Sequence, residues 1–162
     1  MEAGERYIMQ WFYELITNPF LLAGTTAWAV AQVLKTTIHA AIHKKLQWER
    51  LFGDGGMPSG HSATVTALAT MSLLYYGPGS FAFAISTILA IVVCHDAMGI
   101  RRQAGNHAVV LNEILEAFNA LTEDKLTEVK LKEFLGHTPI QVMAGILVGI
   151  CDALLMYVLL IA

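Results

Sequence analysis

Apolar residues in this chain gather into four long runs, and the residues able to do chemistry stand mostly at the ends of those runs. The first run, Pro19 to about Ile42, opens after Thr17-Asn18-Pro19, a turn-like helix start. Its last turns carry Lys35, His39 and His43, whose tips can reach an interface while their stems stay in apolar surroundings. The second, Ala63 to Tyr76, stops at Gly77-Pro78-Gly79-Ser80, and the third, Phe81 to Cys94, runs into His95-Asp96. The last, Ile140 to Ala162, closes the sequence. The middle two hold about 14 residues each, roughly 21 Å as helix, whereas a hydrocarbon core is about 30 Å thick. Helix should therefore continue into the flanking segments, and those segments should lie near headgroup depth.

Outside the runs the pattern changes. Glu5 to Thr17 is amphipathic and predicts an interfacial helix. Gly105 to Leu135 is the one extended polar region, with Val110, Ile114, Leu115, Phe118 and Leu121 at helical spacing. It predicts an amphipathic helix on the membrane surface or against the bundle, with Thr122 to Asp124 starting a second, short helix.

Composition turns this pattern into a class. Hydrophobic residues make up 56% of the 162 positions and charged residues 14%, against about 25% charged in soluble globular domains. The prediction is an all-α polytopic membrane bundle of about four transmembrane helices plus interfacial helices, in one domain. Its parts are an interfacial helix over 1–18, three spans over 19–104, surface helices over 105–135 and a last span over 136–162. Cys94 and Cys151 both fall inside apolar runs and read as small buried hydrophobes. Met1 to Gln10 carries Glu2, Glu5 and Arg6 without the pattern of a cleavable signal, so the spans should all be retained. A net charge of −3 gives no support for nucleic-acid binding.

If four spans alternate in direction, the end of the first, the start of the second, the end of the third and the start of the fourth share one side. Lys35, Lys44, Lys45, Arg50, Arg101, Arg102, Lys125, Lys130 and Lys132 fall on that side, with only Arg6 opposite. By the positive-inside rule this face is cytoplasmic and the protein sits in the cell membrane. A phosphate site would draw cations to the same face.

Two short segments on that face carry the chemistry: Gly55-Gly56-Met57-Pro58-Ser59-Gly60-His61-Ser62 before the second span, and Gly136-His137-Thr138-Pro139-Ile140-Gln141 before the last. Each sets a histidine at a helix N-terminus. Free backbone N–H groups and the helix dipole favour an anion there, and an imidazole can attack it or pass it a proton. A plain turn capped by Ser59 or Ser62 would not need the histidine.

Pro58-Ser59-Gly60-His61 resembles the second signature motif of the type-2 phosphatidic acid phosphatases, and His137 to Gly145 is similar to the end of their third. With Asp96 to Gly105 and Leu131 to Gln141, the set looks most like the divergent branch of that superfamily, related to acid phosphatase and vanadium-dependent haloperoxidase, over about Lys35 to Gly149. The resemblance implies phosphomonoester hydrolysis through a phosphohistidine, with neither metal nor cofactor. It implies that His137 is the nucleophile, that His61 protonates the leaving oxygen, and that Ser59 and the Gly60 backbone hold phosphate oxygens.

Three positions depart from the family pattern. No Arg-Pro follows Lys35, Lys130-Leu131 stands where a Ser-Arg pair is expected, and Gln141 replaces the aspartate that orients the nucleophilic imidazole. Asp96, at the motif-side end of the third span, is the candidate replacement carboxylate; the alternative is a helix-terminal residue bonding to the Gly99 to Arg102 turn. Arg101 or Arg102 can supply the missing guanidinium contacts to phosphate. Lys35 and Lys132 are further phosphate-binding candidates, and Gln141 retains an orienting role through one hydrogen bond. His39 and His43 have metal-ligand spacing, but no acidic residue completes a metal motif. Gly145 and Gly149 form a small-residue packing face within or between subunits, and Asp152 lies too deep to reach His137.

The expected activity is a membrane lipid-phosphate phosphatase acting on phosphatidate, phosphatidylglycerophosphate or a polyprenyl phosphate. The alternative is a weak or inactive lipid-headgroup binder, or a transporter component that keeps the phosphate cradle. Few helices are present to enclose a headgroup, so a homodimer or larger homo-oligomer is also expected.

Overall fold

The computed structural model describes residues 2–45, 56–121, 131 and 136–161. Among them the chain forms six helices and no strand: α1 (Glu2–Ile16), α2 (Pro19–His43), α3 (Gly60–Tyr76), α4 (Phe81–Met98), α5 (Ile100–Leu121) and α6 (Pro139–Ile161). Each bundle helix starts where the sequence supplies a cap. Asn18 accepts from the N–H groups of Phe20 and Leu21 at 2.9 and 3.2 Å, ahead of Pro19. Ser59 begins α3 and Ser80 begins α4 in the same way.

Small residues bring α2, α3 and α6 together. Ala23, Ala27 and Ala31 of α2, Ala63 and Ala67 of α3 and Ala153 of α6 are fully buried in one cluster. A Cβ on Gly149 would collide with the Ala63 carbonyl, so backbone lies directly on backbone. Such faces let helices approach where van der Waals packing, rather than water exclusion, drives association. The Gly145–Gly149 face is thus spent within one subunit. Asp152 is also satisfied inside the bundle, accepting from the Thr26 hydroxyl at 2.7 Å. Cys94, Ala97 and Val142 form a second cluster that fixes α4 to the bundle near the motif side. Cys94 and Cys151 are free thiols, the first buried and the second exposed.

The outer surface is apolar. Ile85, Ile88, Val92, Leu147, Leu155 and Val158 are all exposed, as suits helices bathed in lipid. Among the described residues, two stretches are long and apolar enough to cross a membrane, Phe81–Leu121 and Pro139–Ile161. Of the other two expected spans, α2 has 25 residues but carries Gln32, Lys35 and His39, and α3 has 17.

One boundary differs from expectation. The Gly99 to Arg102 stretch is not a loop: α5 begins at Ile100, so the division drawn between 104 and 105 falls inside a helix. Gly99 itself ends α4, its N–H bonding back to the His95 and Asp96 carbonyls, and a new helix starts at the next residue. Farther along α5, the Asn112 side chain bonds both main-chain groups of Leu131 at 3.0 Å, so the chain returns beside this helix. The short helix expected from Thr122 lies outside the described residues.

Candidate active site

Backbone contacts draw the motif segments together. The Ser59 N–H donates to the Gln141 carbonyl at 3.0 Å, joining the start of α3 to the start of α6. The His137 N–H donates to the Ala97 carbonyl at 2.9 Å, joining the approach to α6 to the end of α4. Gly56, at φ +88°, turns the chain beneath α2, where a Cβ would press on the Lys35 stem at 3.2 Å. All four expected helix ends therefore meet on one face of the bundle.

The two histidines meet edge to face, with ring centroids 6.0 Å apart and planes inclined at 79°. His137 is buried, only 4% exposed, while His61 is half-buried beside it. The first-turn position of Gly60 and His61 leaves their N–H groups outside the helical ladder. A phosphate seated there would meet both N–H groups, the positive end of α3 and two imidazoles.

The remaining predicted residues divide into three groups. Lys35 is buried at the site, 5% exposed, and Asp96 stands in the last turn of α4, one residue before the carbonyl that holds His137. Ser59 is fully buried as the N-cap: its Oγ accepts from the Ser62 N–H at 3.3 Å and from the Ser62 hydroxyl at 3.0 Å. Arg101 and Arg102 occupy the first turn of α5, where only the backbone is described, and Lys132 lies outside the described residues.

Gln141 has a task other than the expected one. Its Oε1 accepts from the Thr138 N–H at 3.0 Å, and the Thr138 hydroxyl accepts from the Gln141 N–H at 3.4 Å. This reciprocal pair is a capping box, which commits the amide oxygen to the helix start rather than to the imidazole.

Sequence reasoning missed Trp28 and Gln32. A Cβ on Gly60 would stand 3.3 Å from the Trp28 ring, close enough that the indole would have to shift by a few tenths of an ångström. Gln32 is 6% exposed, and its Oε1 has no hydrogen-bond partner among the described residues. Its signal was available: one amide interrupts the alanine face of α2, three residues before Lys35. Beside the site a cleft of about 350 Å³ is lined by Lys35, His39, His43, Gly56, Thr138 and Gln141. The His39 and His43 rings stack at 4.1 Å, and no group of three or more potential ligands forms a metal site among the described residues.

The fold and the paired motifs define a helical membrane protein with two histidines gathered at its helix ends. A profile of the divergent PAP2 family matches residues 16–152, and the chain belongs to that family. It is 43% identical over 146 residues to the uncharacterized membrane protein YuiD of Bacillus subtilis (strain 168), across 85% of this chain and 92% of that protein. No solved structure matches the chain.

Proposed function

We propose that this protein is a lipid-phosphate phosphatase that works through a phosphohistidine on His137. The observation that carries the reading is the edge-to-face meeting of His61 and His137 at the start of α3. Family membership and the apolar outer surface support a phosphomonoester on a lipid such as phosphatidate, phosphatidylglycerophosphate or a polyprenyl phosphate.

In the first step an imidazole nitrogen of His137 attacks phosphorus while the P–O bond to the lipid breaks, and His61 gives its proton to the leaving oxygen. In the second, water attacks the phosphohistidine, the P–N bond breaks and His61 takes the water proton, releasing inorganic phosphate. The α3 N-terminus stabilises the charge on the phosphoryl oxygens in both steps. Lys35 and an arginine from the Arg101-Arg102 pair add cations, and Asp96 supplies the carboxylate that Gln141 lacks. The motif face is read as cytoplasmic from its basic residues.

Gln141 gives a second reading its footing. With the amide committed to a capping box, a protein without the orienting carboxylate would bind lipid headgroups without turnover. Phosphate release from vesicles of each lipid by purified protein, with His137→Ala and His61→Ala alongside, separates the two. Release abolished by His137→Ala supports the enzyme. Binding of phosphatidate with no release by the unmodified chain supports the binder.

A further inference from the structure

A groove of about 480 Å³ runs along the outer side of the bundle between α3 and α4, within the range of about 300–1,000 Å³ usual for small-molecule sites. One wall is a stripe at helical spacing on α4 that includes Phe83, Thr87, Ala90 and Met98; the other includes Thr66 and Thr70 of α3. We propose that this groove holds the hydrocarbon chain of the lipid whose phosphate is processed at His61 and His137. The identity of that headgroup rests on the phosphatase reading.

Three observations point to a chain as the occupant. From Phe83 to Met98 the wall is about 22 Å long at helical rise, deeper than the roughly 15 Å of one leaflet's hydrocarbon, so it suits a long extended tail. The groove flanks the exposed Ile88 and Val92, which places it within reach of lipid. Its motif-side end is formed by His95 and Met98, and Met98 packs on the Ala97–Val142 cluster. Ala97 in turn holds His137 by its carbonyl, so a tail in the groove leads to the reaction centre.

The test uses the purified full chain in phosphatidylcholine vesicles doped with phosphatidate bearing a diazirine midway along one acyl chain, followed by peptide mapping after irradiation. The expected label falls on α3 and α4 at the groove, and unlabelled phosphatidate competes for it while further phosphatidylcholine does not. Filling the groove with Ala90→Phe should cut that labelling and lower the preference for long-chain over dihexanoyl phosphatidate by about tenfold. Label spread evenly over the outer faces of α4 and α6, or displaced equally by phosphatidylcholine, would overturn the proposal. Groove-specific labelling without phosphate release would fail the phosphatase reading alone; release with evenly spread labelling would fail the groove alone.

Discussion

Gly145 of α6 packs directly on the Ser59 carbonyl, leaving no room for a Cβ between them. The same two segments are joined by the Ser59–Gln141 main-chain bond at 3.0 Å. The turn before α3 and the start of α6 are thereby held as one unit, and the separation of His61 and His137 follows from that unit.

Gly145→Val should therefore damage stability and site together. Overpacking of a tight contact costs about 1–3 kcal/mol, and here the atom that must yield is backbone. Thermal unfolding in detergent should show an earlier transition, with phosphate release lost in the fraction that remains folded. Gly4→Ala, where nothing lies within 4 Å, is the control that adds a Cβ without a clash and should not lower stability.

Gln141 is a capping residue, so its substitutions should read out in stability. Gln141→Ala should lose about 1 kcal/mol, the usual loss of a cap, while Gln141→Glu preserves the box and its favourable charge at the helix start. A glutamate chain that unfolds as early as the alanine chain would contradict the capping role.

Asp96→Asn should lower kcat by at least about 100-fold with little change in KM, since it removes charge while keeping shape. A comparable carboxylate-to-amide change beside the catalytic histidine of a serine protease lowers kcat by about 10⁴. Asp96→Glu should recover part of the rate. Equal kcat in the asparagine and unmodified chains would remove Asp96 from the mechanism.

Gln32 is a buried amide whose oxygen has no partner among the described residues, a condition that costs about 1–3 kcal/mol in a folded protein. Gln32→Leu should unfold no earlier than the unmodified chain, yet release phosphate at least about tenfold more slowly, as expected of a polar group kept for the site. Early unfolding with unchanged activity would make it a packing residue.

The helices and the convergence of their ends were legible because apolar runs, capping residues and glycine-rich turns are local signals. The four ends meet as alternating runs require, with Lys35 over Gly56 and Ala97 against His137. The immediate restart of helix at Ile100 was not legible, because a glycine that ends one helix carries no local sign of how soon the next begins. The pattern Thr138-Pro139-Ile140-Gln141 is itself a capping-box signature, hidden by reading Gln141 only as a replaced catalytic residue. Trp28 against Gly60 is a contact between separate helices that no local spacing reveals.

The most direct measurement is the fate of phosphorus. Purified protein is mixed with phosphatidate carrying ³²P in its headgroup, quenched in alkali and mapped for base-stable, acid-labile label. The account predicts transient label on His137, absent in His137→Ala and both slower to form and slower to decay in His61→Ala, which lacks the group that protonates the leaving oxygen and activates water. Phosphate release undiminished in His137→Ala, with no label on any histidine, would contradict it.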